Sequence, residues 1–237
     1  MASGWNKQSN TRSRARGAKV RVKTARGRKN SSTRWLQRQL NDPYVAEAQR
    51  LGYRSRAAFK IKELAERYNL FKGVKRVIDL GCAPGGWTQV LTEELPDDAQ
   101  IIGIDLQEVE PIQGADIWVM DFLAEDAEKR LMDALEGPAD LVLSDMANSA
   151  TGHRQTDQIR TMALCEAALD FAVKVLAPGG TFVAKVLQGG ADNDLMQALN
   201  KHFTSVKHAK PPSSRQDSKE WFVVATGFKG RKEAESE

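Results

Sequence analysis

Short apolar runs alternate with amphipathic stretches along most of this chain, the pattern of strands separated by helices. Residues 76–80, Arg-Val-Ile-Asp-Leu, suit a strand buried on both faces and pass directly into Gly-Cys-Ala-Pro-Gly-Gly-Trp-Thr. Residues 88–94 then read as a helix, 100–105 and 117–120 as strands, and 124–135 as a helix. A compact strand over 140–144 ends in Ser-Asp-Met-Ala. Residues 157–177 place Ile159, Met162, Leu169, Val173 and Leu176 on one helical face, and Pro178-Gly179-Gly180 should stop that helix. A strand over 181–186 follows, with Gly189-Gly190 behind it, then a helix over 194–202. Strands over 205–209 and 221–228 are joined by a polar loop too short for a helical crossover, so they should pair antiparallel. Ahead of all this, 42–51 reads as a short helix and 56–68 as a second, capped by Ser55, with Ala57, Ile61, Leu64, Ala65 and Tyr68 on one face. The expected fold is α/β: a doubly wound, mostly parallel seven-stranded sheet that finishes in an antiparallel hairpin.

The glycine turn after residue 80 organises the rest. Gly81, Gly85 and Gly86 permit backbone conformations and close approaches that a Cβ would block, so a ligand can sit against the main chain. The spacing G-x-x-x-G-G is not that of a dinucleotide site, and no Lys-Ser/Thr pair follows for a phosphate loop. Asp79, just before the turn, would repel a pyrophosphate but could hold a ligand amine, which favours a cation such as S-adenosylmethionine. Asp105 closes the next strand 24 residues after Gly81, where an α/β nucleotide site places an acid on ribose hydroxyls. Asp121 follows the third strand, beside Phe122. Acids at successive strand ends point to one nucleoside-type site.

Charge changes the picture at the N-terminus. The net +4 conceals 12 Lys or Arg and no acid in residues 1–40, against 23 basic and 31 acidic residues in the remainder. Residues 1–40 are expected to be a disordered, RNA-binding tail, with a targeting peptide or a solubilising tail as rival readings. Residues 41–230 form the folded domain and 231–237 a polar tail. Cys82 and Cys165 have no metal-ligand spacing, so no metal is expected, and a reducing, cytoplasmic setting is the default. No apolar run is long enough for a membrane helix.

Three further positions carry candidate chemistry. Asp145, just past its strand, belongs at the same sheet edge as Gly81 and Asp105. Lys185 lies inside Phe-Val-Ala-Lys-Val-Leu, where an ammonium is costly unless paired. Glu220 opens the last strand. Taken singly, each also suits a structural role: a helix cap, a snorkelling edge residue, a strand-end charge.

Together with Tyr53-Arg-Ser-Arg-Ala-Ala-Phe-Lys60, Asp79-Leu-Gly-Cys-Ala-Pro-Gly-Gly-Trp87, Leu143-Ser-Asp145-Met-Ala and Ser218-Lys-Glu220, these residues resemble the FtsJ-type ribosomal RNA ribose 2′-O-methyltransferases, from about Arg34 to Phe228. Within that family, the length and basic tail are most similar to bacterial members acting on a uridine of large-subunit ribosomal RNA. The resemblance implies a Rossmann-like class I methyltransferase fold, S-adenosylmethionine as methyl donor, and a catalytic tetrad of Lys60, Asp145, Lys185 and Glu220. It also implies cofactor contacts from Asp79, Gly81, Pro84, Gly85, Gly86, Trp87, Asp105, Leu106, Asp121, Phe122 and Asp145. The implied partner is ribosomal RNA or the large ribosomal subunit, met by a monomer. A transfer-RNA substrate and a non-catalytic assembly factor stay open. Base methylation is disfavoured, because Ser-Asp-Met-Ala stands where an Asn-Pro-Pro-Tyr motif would follow the fourth strand. An ordinary lysine keeps its proton at neutral pH, so Lys185 could act either as a base, if the site loosens that proton, or as a cation that orients the hydroxyl.

Overall fold

The structure, a computed structural model, describes residues 30–148, 151–187 and 193–231. The chain divides into two compact units, Met1–Ala46 and Glu47–Glu237. In the first, α1 (Asn30–Leu40) is a helix within the segment expected to be a basic tail. The segment has no glycine or proline to interrupt it, and Arg38 in its last turn sits at the favourable end of the helix dipole. Residues 1–29, 232–237 and the Gly189-Gly190 pair lie outside the described residues. Asp42 Oδ1 accepts the Tyr44 N–H at 3.0 Å and opens α2 (Pro43–Leu51), with proline at the first helical position.

The second unit is built on one seven-stranded sheet in the order β3-β2-β1-β4-β5-β7-β6. Its strands are β1 (Arg76–Leu80), β2 (Gln100–Asp105), β3 (Asp116–Val119), β4 (Ala139–Ser144), β5 (Leu176–Leu187), β6 (Phe203–Ala209) and β7 (Glu220–Phe228). β3, β2, β1, β4 and β5 pair parallel, and β7 runs antiparallel to both β5 and β6. Strand order reverses between β1 and β4, the switch point at which such sheets bind ligands. The helices α3 (Ala57–Tyr68) and α4 (Gly86–Glu94) cover one face, and α5 (Ala127–Ala134), α6 (Arg154–Val175) and α7 (Asn193–His202) cover the other.

Strand periodicity sorts the side chains between these layers. Ile78, Leu80, Ile102, Ile104 and Val142 enter the core under α5, α6 and α7. Val77, Ile101, Leu141, Leu143, Val183, Phe222 and Val224 enter the core under α3 and α4. Asp79, Asp145, Lys185 and Glu220 each stand two residues from a member of this second set. The same alternation therefore directs all four toward one face, the one that carries Lys60 on α3.

Two expectations about α6 are corrected. Its first turns begin at the carboxyl edge of the sheet, beyond the core, so Ile159 is 63% exposed and the buried side is Cys165, Ala168, Leu169, Phe171, Ala172 and Val175. The helix ends at Val175, and the extended chain starts at Leu176, ahead of Pro178-Gly179-Gly180. Leu176 already pairs with Ala139, and the ladder resumes at Leu141 and Thr181 after an irregularity that absorbs the Pro-Gly-Gly segment.

Candidate active site

The turn after β1 is held by its own backbone. Gly81 and Cys82 both donate to the Ile104 carbonyl, at 2.8 and 3.0 Å. Gly81 has φ +79, and a Cβ there would stand 2.8 Å from the Met146 N and Cα, so only glycine lets β1 pass this close to the segment after β4. Gly86 fits for a different reason: the Ser55 hydroxyl fills the space of its absent side chain. That hydroxyl also accepts the Ala57 N–H at 3.2 Å, although α3 starts one residue later than expected, with Arg56 and not Ser55 at its N-cap. Asp105 spends both oxygens on the local chain, Oδ2 on Ala83 N–H and Oδ1 on Gln107 N–H, each at 2.9 Å. Asp121 Oδ1 accepts the Leu123 N–H at 2.9 Å, and Asp121, Pro84 and Leu106 are exposed at the sheet edge. The rings of two other residues expected at the cofactor pack inward. Phe122 is buried edge-on to Phe171 at 5.5 Å. Trp87 is buried against Phe222 at 5.6 Å, with its indole N–H on the Ala57 carbonyl at 2.9 Å. Both rings fill the core and set the walls of the site from behind.

Arg54 was not singled out by sequence. Its guanidinium donates to the Glu110 and Pro111 carbonyls and lies against the buried Gly85, fastening the β2–β3 connection over the turn. Its place in the Tyr53–Lys60 stretch was the one available signal.

Asp79 is wholly buried, with Oδ2 accepting the Thr88 hydroxyl at 2.8 Å and Oδ1 without a partner. Burial, with the carboxylates of Asp145 and Asp105 adding to it, pushes the Asp79 carboxyl up to about 7 from its ordinary 3.8, against the opposing Thr88 hydrogen bond. Three acids so placed, one with an orphaned buried oxygen, fit a ligand that brings positive charge and disfavour an anionic one. The sign for stability follows. Between about 4 and 7 the folded chain binds more protons at Asp79 than the unfolded chain, so Asp79 makes the ligand-free protein less stable as pH rises through that window, and the effect is flat above it. Urea melts across pH 4–8 should show this fall, and Asp79→Asn should remove it; an unchanged slope in the variant would exclude Asp79 as its source.

The four expected catalytic residues meet as two linked pairs. Lys60 Nζ lies 3.0 Å from Glu220 Oε2 and 5.6 Å from the Phe222 ring centre. Lys185 Nζ donates to the main-chain oxygen of Asp145 at 2.6 Å, and Asp145 Oδ1 lies 3.0 Å away as an ion-pair contact without hydrogen-bond alignment. Asp145 N–H in turn donates to the Leu80 carbonyl at 3.0 Å, one residue before Gly81, so this group and the glycine turn share one edge. Burial acts to raise the Glu220 carboxyl, and Lys60 and Lys185 outweigh it and hold it below its ordinary value. Both lysine side chains are nearly buried, at 10% and 7% exposed. A cleft of about 430 Å³, within the usual range for small-ligand sites, opens beside Lys185 and Glu220 and is lined also by Asn148, Gln158, Thr161, Leu187 and Lys219. Of these five only Lys219, inside the Ser218-Lys-Glu220 stretch, carried a sequence signal; single polar or apolar residues such as Asn148, Gln158, Thr161 and Leu187 are ordinary in a loop, a helix or a strand end. Among the described residues no group of three or more His, Cys, Asp or Glu is arranged to hold a metal ion, and no helix is long and apolar enough to cross a membrane.

The chain is 61% identical over 211 residues to a Novosphingobium aromaticivorans protein named ribosomal RNA large subunit methyltransferase E, covering 89% of this chain and 95% of the relative. A Rhizorhabdus wittichii protein of the same name is 61% identical over 218 residues, covering 92% and 95%. Among solved structures, a Plasmodium falciparum protein described as a ribosomal RNA methyltransferase aligns at TM-score 0.67 and 30% identity, over 76% of this chain and all of that one. The model for FtsJ-like methyltransferases matches residues 53–228, which contain the glycine turn and all four converging charges. The chain belongs to the FtsJ-like methyltransferase family.

Proposed function

We propose that this protein transfers the methyl group of S-adenosylmethionine to the ribose 2′-hydroxyl of a nucleotide, a uridine, in large-subunit ribosomal RNA. The observation that carries this reading is the meeting of Lys60–Glu220 and Lys185–Asp145 beside the glycine turn. The family match and the names of its relatives support the substrate class. The protein acts as a cytoplasmic monomer.

When bound, S-adenosylmethionine supplies a methyl group on a positively charged sulfur. Asp79, with its unpartnered oxygen, and the acids Asp105 and Asp145 give the turn the negative charge that such a ligand requires. In this reading Asp105 and Asp121 hold the ribose hydroxyls, and the backbone of the turn from Gly81 to Trp87, with Leu106 beside it, lies against the ligand. A 2′-hydroxyl is a weak nucleophile, so the first requirement is alignment of its oxygen with the methyl carbon. Lys185 Nζ, fixed by Asp145, donates a remaining N–H to that oxygen and aims its lone pair. Glu220, paired with Lys60, lines the same cleft as Lys185. As the oxygen–carbon bond forms, the carbon–sulfur pair stays with the sulfur as a neutral thioether, and the hydroxyl proton, by then acidic, passes to water.

The test is incubation of the full chain with labelled S-adenosylmethionine and large-subunit ribosomal RNA or particles from cells lacking the gene, followed by mapping of ribose methylation. One labelled ribose on a uridine is expected. Label on a base would overturn the reaction class. Absence of label with RNA binding intact would leave a non-catalytic assembly factor.

A further inference from the structure

Arg56, Lys60 and Glu63 fall four and three residues apart on α3 and so share one helical face. All three reach the β6–β7 connection or the first residue of β7. Glu63 Oε2 accepts the Ser213 N–H at 2.8 Å and the Ser213 hydroxyl at 2.7 Å. Arg56 donates to the Ser213 carbonyl, and Lys60 to Glu220 Oε2 at 3.0 Å. Ser213 is wholly buried. Further along the same connection, Lys210 Nζ donates to the Ser218 carbonyl at 2.7 Å. The Ser218 hydroxyl accepts the Glu220 N–H at 3.1 Å and donates to Glu220 Oε2 at 3.2 Å. Strand pairing sets the Glu220 main chain opposite Leu187 and its side chain on the α3 face, and leaves the aim of the carboxylate within that face to other contacts. Ser218 supplies that direction, and Ser218 belongs to a loop anchored on α3 through the buried Ser213.

We propose that Glu63 is a positioning residue for methyl transfer: by clamping Ser213 to α3, it holds the 210–219 connection so that Ser218 aims the Glu220 carboxylate at Lys60. The inference rests on the reading of Lys60, Asp145, Lys185 and Glu220 as the transfer machinery. A partly buried carboxylate is a poor source of stability. Burial raises the Glu63 carboxyl, and the two Ser213 donors and Arg56 counter it, an expense explained by what the contact fixes.

The experiment uses the full chain with labelled S-adenosylmethionine and large-subunit ribosomal RNA, and measures kcat, both KM values, cofactor affinity by calorimetry and melting temperature. Glu63→Ala should lower kcat about 10–100-fold, as loss of an orienting partner does, while KM and cofactor affinity stay within about threefold. Glu63→Gln keeps an acceptor oxygen for both Ser213 donors and should restore kcat to within about threefold of the parent. Glu63→Ala combined with Lys60→Ala should lose no more than Lys60→Ala alone, because both act on one arrangement. Should Glu63→Ala fail to fold, Ser213→Ala is read the same way. Parental kcat in both alanine variants, or losses that multiply fully in the double variant, would overturn the clamp. Parental kcat in Lys60→Ala would instead overturn the tetrad reading beneath it.

Discussion

Lys185→Met keeps the length of the side chain and removes its charge, and single-turnover assays should show transfer reduced by roughly 10²–10³-fold, the range for loss of a donor positioned on the reacting oxygen. Cofactor affinity should stay within about threefold, since Lys185 contacts Asp145 and lines a cleft that none of the glycine-turn residues borders. The structure adds a control. Lys185 and Asp145 are 7% and 21% exposed, and deletion of one partner leaves the other charge poorly compensated, at up to about 3–5 kcal/mol for a fully buried pair and less here because Asp145 retains some solvent. Lys185→Met with Asp145→Asn removes both charges and should regain much of that stability without regaining transfer. Turnover near the parental rate in Lys185→Met would take the residue out of the reaction altogether.

Gly81→Ala is expected to give the largest loss of stability from a single added carbon. The residue would hold a positive φ that costs an L-amino acid about 1–2 kcal/mol, and its Cβ would press into the Met146 main chain at 2.8 Å. Together these should destabilise the fold by about 3 kcal/mol or more, which lowers the melting temperature by roughly 6–12 °C for a domain of this size. Relief by movement of Met146 displaces its neighbour Asp145, so kcat should fall as well. Gly52→Ala is the comparison: it carries a similar φ of +80 with nothing within 4 Å of the added carbon, so it isolates the conformational part. Equal losses in the two variants would show that the Met146 contact is unimportant.

Much of this site could be read from residue order because strand alternation is a strict rule. Once the runs at 76–80, 140–144 and 181–186 are strands in one parallel sheet, Gly81 and Asp145 lie at the same edge and Lys185 shares their end. What alternation does not specify is how each carboxylate is spent. Asp105 holds the turn backbone, and Asp79 lies beneath it with one oxygen idle, because contacts across the fold decide those assignments. Trp87 and Phe122, bracketed by expected ligand contacts, turn inward because large rings bury more apolar area in the core than at an edge. Ile159 was misread for the opposite reason: helical periodicity extends past the point where there is core to cover. The helix over residues 30–40 was hidden by averaging composition across a basic segment whose glycines all precede it. Arg54 and the Glu63–Ser213 contact join positions 56 to 150 residues apart, and one sequence carries no signal at that range.

The position of β7 has a consequence for biosynthesis. β5 and β6 are both bonded to β7 and not to each other, so the sheet is completed by the last strand to leave the ribosome. Until residues 220–228 emerge, β5 presents an open row of amides and carbonyls from Thr181 to Leu187, an invitation to aggregation. A chain cut short by some twenty residues would therefore be both inert and sticky, lacking Glu220 and the strand that closes the gap.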